Sequence, residues 1–590
     1  PPQRNLPVTS HSSIGRACAL LLALPAALAA QQLPLKHKAQ PTTAAISASD
    51  LMTRLYIFSD DSMQGRETGT IGHLKSTAYI AAQVKAMGLK PAGDHGTFFQ
   101  NLPVFQRSLD PNSALSVGGV RLAAFRDLVA SPGRGGEPRS IDGAQVIFGG
   151  EQGDTVNELT ADQVRGKLVI MTARPGGRGR GFGFRGRGRG GPNPLAGAAG
   201  IATVDTGAAW TAAVHAARPR PGNVIFKNPD AAPAPEAAAT LTISAHAAQV
   251  LLGVPVSQAT KGMAGKTVTG NPRYVEKPAP ARNVVAILPG SDPALRGEYV
   301  AIGAHNDHIG IRQGPPVDHD SLHLYNAARY AITGMLARGE RPTAEQEQEL
   351  ANIHINLDSV RRLRRPRLDS ISNGADDDGS GTVSVLEIAQ AFAKGNIKPK
   401  RSIIFVWHVG EEKGLWGSEW FTDHPTVPRD SIVAQLNIDM DGRGDARDLP
   451  VGGPTYLQLV GSHRLSTELG DMVESVNKAE KMPFTFDYRF DAPGQADNIY
   501  CRSDHYNYAR YGIPITFFTT GLHGDYHQVT DEAEYIDYPH MARVSQFVFD
   551  VAVRVADLDH RVKVDGVVPA DPHQRCVNNG APLTGGSSGF

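Results

Sequence analysis

The sequence predicts an α/β fold in which a central sheet is flanked by helices. Two observations support this prediction: β-rich and helix-like runs alternate through the second half of the chain, and polar motifs adjoin those runs. A chain of 590 residues also exceeds what one compact core organises, so two or more domains are expected. The predicted strands are 283–288, 299–303, 402–408, 432–438 and 515–519, and the predicted helices are 383–393 and 541–555.

The N-terminal part of this fold is expected over residues 48–110. Leu51, Leu55, Ile80 and Val84 recur at helical spacing on either side of a polar, glycine-containing segment. Two helices joined by a loop are therefore predicted here. The same domain is expected to resume over 276–558.

Between these two parts the composition of the chain changes. Residues 111–275 contain short β-rich runs joined by Ala-, Pro- and Gly-rich connections, which predicts a separate small β-rich domain. Within it, 176–194 is rich in Arg and Gly with interleaved Phe, a composition that can bind nucleic acid. Because this segment lies between two predicted strands, we interpret it as a disordered, solvated loop. The balance of 59 basic and 59 acidic residues also predicts no nucleic-acid partner.

The two ends of the chain suggest its compartment. An apolar run that ends in Ala-Leu-Ala-Ala before Gln31 predicts a signal peptide over 1–30, with a buried N-terminal helix as the alternative. The mature protein would then be secreted or periplasmic, and no other run is long and apolar enough to predict a membrane span. Removal of the signal leaves Cys501 and Cys576, which either form one disulfide or remain two thiols. An extended Pro- and Gly-rich tail is expected over 559–590.

Five polar motifs supply the candidate chemistry. Each adjoins a predicted strand or helix, and in an open α/β sheet ligands bind beyond the carboxyl ends of the strands. Their side chains are therefore expected to converge at one edge of the sheet. The motifs are GAHNDH (303–308), NGADDDGSG (373–381), HVGEEKGL (408–415), NIDMDG (437–442) and HGDYH (523–527).

The motifs offer imidazoles and carboxylates, a donor set that suits Zn²⁺, with Mn²⁺ or Co²⁺ as possible substitutes. Two imidazoles and three carboxylates hold two zinc ions if one carboxylate bridges them. One further carboxylate is needed to accept the proton of the attacking water. The adjacent Glu411 and Glu412 offer one acid to bind the metal and one to accept this proton. Asp307 is spaced to orient the imidazole of His305. No H-E-x-x-H is present, which excludes the helical zincin arrangement.

Together the five motifs resemble metallopeptidase family 28, the co-catalytic zinc aminopeptidases and glutamate-carboxypeptidase-like enzymes. The resemblance covers about 51–555. It implies the zinc-exopeptidase fold (phosphorylase/hydrolase-like), whose mixed central sheet would here be interrupted by the β-rich domain. The segments GKLVIM and GAAGI of that domain are similar to the protease-associated domain that often interrupts this family.

Carried over residue by residue, the resemblance implies a role for each motif. Glu411 would be the general base, Asp307 would orient a ligand and Tyr526 would donate to the oxyanion. A cis peptide bond would precede Asp378, and the segment 503–505 would support the pocket. The implied metal ligands are His305, Asp377 as the bridging carboxylate, Glu412, Asp439 and His527.

The resemblance implies a secreted zinc-dependent exopeptidase, and we favour an aminopeptidase that hydrolyses N-terminal residues of peptides. A carboxypeptidase, a glutaminyl-peptide cyclase-like transferase and a non-catalytic binding or assembly protein on the same scaffold are the alternatives. All five ligand positions are filled, which argues against relatives that have lost their metals and against the single-zinc cyclases.

One segment departs from the family pattern. Residues 322–368 lie between the first two motifs, where relatives cross in a few residues. They contain two helix-like runs, 322–338 and 343–360, followed by the basic stretch RRLRRPR (361–367). We predict a helical hairpin near the mouth of the site that either restricts substrate access or makes a homo-oligomer contact, with an inert surface insertion as the alternative.

Overall fold

The structure is a computed structural model, and it describes residues 36–574 and 576 apart from 134–136, 155–157, 174–193, 206, 231–235, 335, 337–340, 493 and 496. The predicted signal peptide, nearly all of the Arg- and Gly-rich segment and the end of the tail lie outside the described residues. Within the described part, none of the helices combines the length and the apolar character that a membrane crossing requires.

A nine-stranded sheet lies at the centre of the described chain. Its four inner strands, Ser402–His408, Tyr299–His305, Ile432–Ile438 and Ile515–Thr519, run parallel to one another. The strands on either side of these four pair antiparallel with them, so the sheet is mixed and the predicted α/β class is confirmed. The order across the sheet is Lys90–Pro91, Arg282–Leu288, Ser402–His408, Tyr299–His305, Ile432–Ile438, Ile515–Thr519, Tyr456–Val460 and Thr485–Asp487, with Phe99–Asn101 paired to Arg282–Leu288.

Helices cover both faces of this sheet. In strand Arg282–Leu288, Val284 and Ala286 face the larger core while Val285 faces the smaller one. Because both faces are buried, the strands are continuous apolar runs, which is why they could be recognised in the sequence. The helices Ala48–Phe58, Ile71–Met87, Gly381–Lys394, Thr467–Ala479 and Tyr538–Ala556 contribute to the larger core, and Trp416–Asp423 and His505–Ala509 contribute to the smaller one.

The first two helices have clear local boundaries. Ser47 caps the first by accepting a hydrogen bond from the backbone N–H of Asp50. The second ends at Gly88, whose φ of 86° is left-handed backbone that glycine adopts without strain. The short 3₁₀ segment Asp61–Arg66 lies between the helices, where the polar segment predicts a loop.

A second body of strands lies within the predicted β-rich region and has its own core. Its six-stranded sheet has the order Ala264–Thr267, Gln145–Glu151, Leu168–Thr172, Gly200–Val204, Ala239–Ile243 and Leu128–Ala130. Three further helices lie here, Ala161–Val164, Ala208–Ala217 and Ala245–Leu252. Smaller sheets are formed by Val224–Phe226, Val104–Leu109 and Tyr274–Pro278, and by Ala114–Val117 with Val120–Ala123.

Among the described residues, the insertion and the residues just before it form the helices His319–Thr333, Ala344–Ala351 and Asp358–Leu363. The second predicted run, 343–360, is therefore two helices, because Asn352 and the following residues, including two isoleucines, form helix poorly. Two short strand pairs close the base of the insertion: Val317–Asp318 with Leu368–Asp369, and Gly310–Ile311 with Ile371–Ser372.

Cys501 and Cys576 form a disulfide, which decides between the two states that the sequence left open. The bond joins the segment before helix His505–Ala509 to the C-terminal segment. The described part of the tail contains no helix or strand.

Candidate metal centre

The carboxyl ends of the parallel strands place the polar motifs at one edge of the sheet. His305 is the last residue of its strand, and Asp439 directly follows the neighbouring strand Ile432–Ile438. Glu411 and Glu412 lie in the turn after strand Ser402–His408. The ligand loop, defined here as residues 522–531, follows strand Ile515–Thr519 and carries the last predicted motif residue.

The first group of donors consists of His305, Asp377 and Asp439, whose candidate ligand atoms all lie within 4.8 Å of one another. His305 Nε2 is 3.2 Å from Asp377 Oδ1 and 3.7 Å from Asp439 Oδ1. Ser503 donates a hydrogen bond of 2.7 Å to the other oxygen of Asp439, which fixes the orientation of that carboxylate. The three donor side chains are almost fully buried.

The second group lies on the other side of Asp377. His527 Nε2 is 3.0 Å from Asp377 Oδ2 and 2.9 Å from Glu412 Oε2, and His308 Nδ1 is 2.7 Å from Glu412 Oε1. Oδ1 of Asp377 thus faces the first group while Oδ2 faces the second. This is the placement that a bridging carboxylate requires.

The donor atoms fit metal ions in their chemistry as well as in their spacing. Buried nitrogen and oxygen atoms of both groups have no hydrogen-bond partner among the described residues, which is costly unless another species satisfies them. Imidazole and carboxylate donors without thiolates suit Zn²⁺. The atoms without a hydrogen bond are His305 Nε2, His308 Nδ1 and Nε2, Asp377 Oδ2, Glu412 Oε1 and His527 Nε2.

The ionisation of the candidate ligands agrees with this arrangement. Burial by itself would raise the pKa of Asp377, but the imidazoles of His305 and His527, at 3.2 and 3.0 Å from its two oxygens, hold it well below its usual value. Burial and the charge of Asp377 also act to raise the pKa of Glu412, yet His527 and His308 lower it to about 2. Both carboxylates are therefore held in the ionised form that a metal ligand needs.

The pKa of Glu411 is shifted in the opposite direction. Burial, together with the nearby charges of Asp439 and Glu412, raises the pKa of this carboxyl well above its usual value. Its Oε2 lies 3.9 Å from His305 Nε2, and 14% of the side chain is exposed, against 4% for Glu412. A partly exposed acid that holds a proton readily can accept and release one during a reaction.

Asp307 contacts His305 of its own motif and the backbone of the motif HVGEEKGL. His305 Nδ1 lies 3.1 Å from the backbone carbonyl of Asp307 but 3.7 Å from its carboxylate, so the contact within hydrogen-bonding distance is the main-chain one. The carboxylate instead accepts hydrogen bonds from the N–H groups of Gly410 and Glu411, at 2.8 and 3.2 Å, and from Thr68 at 2.7 Å. Asp307 thus fixes the turn that presents the two glutamates.

Tyr526 lies beside the second group. Its ring stacks on His527 with 3.9 Å between ring centroids. Burial and the negative charges of Asp377 and Glu412 raise the pKa of its phenol well above the usual value, which keeps the hydroxyl a donor. Such a group can donate to an oxygen on which negative charge develops.

A buried network of hydrogen bonds surrounds Asp377. The peptide bond between Asp377 and Asp378 is cis, as the family resemblance implies. Asp378 accepts a hydrogen bond of 2.9 Å from the backbone of His305, and Asp531 accepts from the N–H groups of Asp376 and Asp377. These contacts link the ligand loop to the first two motifs.

The sequence analysis missed His308 and Asp531. His308 is a third imidazole in the motif GAHNDH, so its position beside His305 was a visible signal. Asp531 lies outside every motif, and only its contacts reveal its role. Two other motif residues point elsewhere: His523 lies 3.2 Å from Asp376, and Asp441 accepts from Ser384.

A third group of donors, His319, Asp369 and Glu532, lies at the base of the insertion. There Arg367 Nη2 contacts His319 Nδ1 and pairs with Glu534. The guanidinium already supplies positive charge at this position, which disfavours a metal cation.

Comparison with known proteins adds independent findings. Residues 338–552 match the model of Peptidase family M28, a range that includes every candidate site residue except His305, Asp307 and His308. Leucine aminopeptidase 1 of Paracoccidioides brasiliensis (strain Pb18) is 29% identical over 194 residues, which cover 31% of this chain and 46% of that protein. Leucine aminopeptidase 1 of Coccidioides posadasii (strain C735) is 30% identical over 196 residues, which cover 31% of this chain and 47% of that protein. The chain thus spans about half the length of these curated relatives.

Solved structures with a similar chain trace were also found. BSAP, a zinc aminopeptidase from Bacillus subtilis, is 16% identical, with a TM-score of 0.45, and the match covers 88% of this chain and 100% of that one. An aminopeptidase from Aneurinibacillus sp. strain AM-1 is 16% identical, with a TM-score of 0.44, over 88% of this chain and 97% of that one.

Proposed function

Because residues 338–552 match the model of Peptidase family M28, we propose that this chain is a zinc-dependent aminopeptidase with two metal ions. The observation that carries the proposal is the position of Asp377, whose two oxygens face two separate groups of imidazole and carboxylate donors that lack hydrogen bonds. The names of the relatives support the aminopeptidase assignment.

The two ions would be held by the two donor groups described above. His305 and Asp439 would hold one ion, Glu412 and His527 the other, and Asp377 both. When bound, zinc lowers the pKa of a coordinated water and polarises the carbonyl group of the substrate.

The residues of the chain would carry the proton through the reaction. A carboxylate oxygen of Glu411 accepts a proton from the attacking water as the new C–O bond forms at the scissile carbonyl. Glu411 then delivers the same proton to the departing amine nitrogen as the C–N bond breaks. Tyr526 donates a hydrogen bond to the carbonyl oxygen as it gains negative charge, and Asp307 keeps Glu411 in place through the backbone.

His308 is assigned to the second group. Its short contact with Glu412 and its burial suit a side chain that either holds that carboxylate or joins it on the metal. The ring packs against Gly374, where a β-carbon would lie 2.5 Å from it, so the backbone has room for this imidazole only beside glycine.

The domain assignments and the compartment complete the proposal. The second body of strands would be a protease-associated domain over 111–275, inserted between peptidase parts at 48–110 and 276–558. Secretion or periplasmic export is supported by the disulfide between Cys501 and Cys576, since such bonds persist in oxidising compartments. The substrates would be peptides with a free N-terminus.

Hydrolysis of matched peptides with free and N-acetylated termini tests the function, with and without a zinc chelator. We expect cleavage of the free peptides only, loss of cleavage with the chelator, and two zinc ions per chain by elemental analysis. Cleavage from the carboxyl end would instead indicate a carboxypeptidase. One zinc per chain with cyclisation of N-terminal glutamine would indicate a glutaminyl cyclase, and two ions without any turnover would indicate a binding protein.

A further inference from the structure

The insertion contacts the back of the ligand loop. Asn326 on the insertion helix, defined here as His319–Thr333, donates hydrogen bonds of 3.1 Å to both Asp525 and Thr530. Tyr330, one turn further along, donates a hydrogen bond of 2.7 Å to the backbone carbonyl of Leu522. Asn326 and Tyr330 are buried, so these bonds form away from water.

The loop and the helix are also in close packing contact. A β-carbon at Gly524 would lie 2.9 Å from the backbone oxygen of Asn326, so the glycine permits the loop to approach the helix. His323 adds a contact of 2.8 Å with Asp525 and stacks on Tyr535 at 3.8 Å between ring centroids. The insertion helix therefore holds both ends and the middle of the loop.

The basic stretch 361–367, which begins within helix Asp358–Leu363, fastens the insertion to the protein. Arg361 and Arg364 both bind the carboxylate of Asp320 at the start of the insertion helix. Arg367 pairs with Glu534, just beyond the ligand loop. These arginines are therefore engaged within the chain.

The loop needs such support because of the backbone conformation of its metal ligand. His527 has a φ of 59°, which is left-handed backbone that costs a non-glycine residue free energy. A conformation of this kind persists only where the surroundings hold it. On the inner side the loop has its contacts with the metal-binding residues, and the insertion helix supplies the contacts on the outer side.

We propose that the insertion helix is a brace that sets the metal affinity of the second donor group by holding the ligand loop. Asn326 and Tyr330 act as positioning residues for His527. This inference rests on the proposed metal centre and deepens it. It assigns the insertion a role other than restricting access, forming a subunit contact or being inert.

The test compares zinc release from variants of the full-length zinc-loaded protein. Asn326→Ala and Tyr330→Phe remove the bonds to the loop, and Asn352→Ala and Tyr325→Phe make the same chemical changes at exposed positions of the insertion. A chromophoric zinc chelator records the rate at which each ion leaves. Thermal unfolding shows that each variant is folded, and Tyr330→Phe provides a mild change should Asn326→Ala unfold.

We expect one of the two ions to leave about tenfold faster from the Asn326 and Tyr330 variants, because outer contacts of a ligand alter metal affinity by about 10–100-fold. Added zinc should restore kcat, with KM for the peptide unchanged, and the two control variants should match the wild type. Unaltered release from both variants would overturn the brace. A changed KM with normal release would indicate a gate, and a changed oligomeric state with normal release would indicate a subunit contact.

Failure of the brace can be distinguished from failure of the proposed aminopeptidase function. A wild-type protein that binds two zinc ions but cleaves no peptide would refute the aminopeptidase while the release rates still decide on the brace. A wild-type protein that binds no zinc would refute both.

Discussion

Acid should destabilise this protein in part through His505, and the size of the effect can be worked out. His505 is fully buried, its ring stacks on Phe517, and neither ring nitrogen has a hydrogen-bond partner among the described residues. Burial lowers the pKa of His505 to about 3 from the usual 6.5. Between these two values the unfolded chain binds a proton that the folded protein does not.

The folded state therefore loses stability as the pH falls from 6.5 towards 3. Each pH unit in this window changes the free energy of unfolding by about 1.4 kcal/mol for one such group. At pH 5 the loss from His505 amounts to about 2 kcal/mol, and above pH 7 it is close to zero. Replacement of His505 by Phe removes the titrating group and keeps a flat ring against Phe517.

Urea unfolding at pH 7.5 and pH 5 measures this contribution directly. The wild type should lose about 2 kcal/mol more than His505→Phe between the two pH values, because the other buried histidines act equally in both proteins. His354→Phe is the control, since His354 is exposed on the insertion and should leave the pH dependence unchanged. Equal losses in the wild type and His505→Phe would refute the reasoning.

Three further predictions concern the metal centre. Glu411→Gln should lower kcat by about 10²–10⁴-fold while both zinc ions remain bound, and loss of zinc together with activity would contradict its role as a base. Ser503→Ala removes the hydrogen bond to Asp439 and should weaken zinc binding at the first group by about 10–100-fold in a competition titration, whereas unchanged affinity would contradict this. His308→Ala should weaken zinc binding at the second group by a similar factor. His308→Gln should weaken zinc binding less, because its side-chain amide can still donate to Glu412. Equal losses of affinity in the two variants would argue against that contact.

Much of the fold could be predicted from the sequence because the strands are buried on both faces. Strand Ile432–Ile438 is apolar at every position except Gln435 and Asn437, and the motif NIDMDG begins within it. The convergence of His305 and Asp439 followed from the parallel order of adjacent strands, which is a general property of such sheets. The insertion was less predictable, since its second helical run breaks at Asn352.

The sequence by itself determined the α/β class, the positions of the five motifs and the residue types that could bind zinc. Only the tertiary structure decided which atoms meet. It turned the carboxylate of Asp307 towards the Glu411 turn, buried His308 against Glu412, and placed Asn326 behind the loop of His527. The physical reason is that these contacts join residues far apart in the chain, and their geometry depends on how the sheet, loops and insertion pack together.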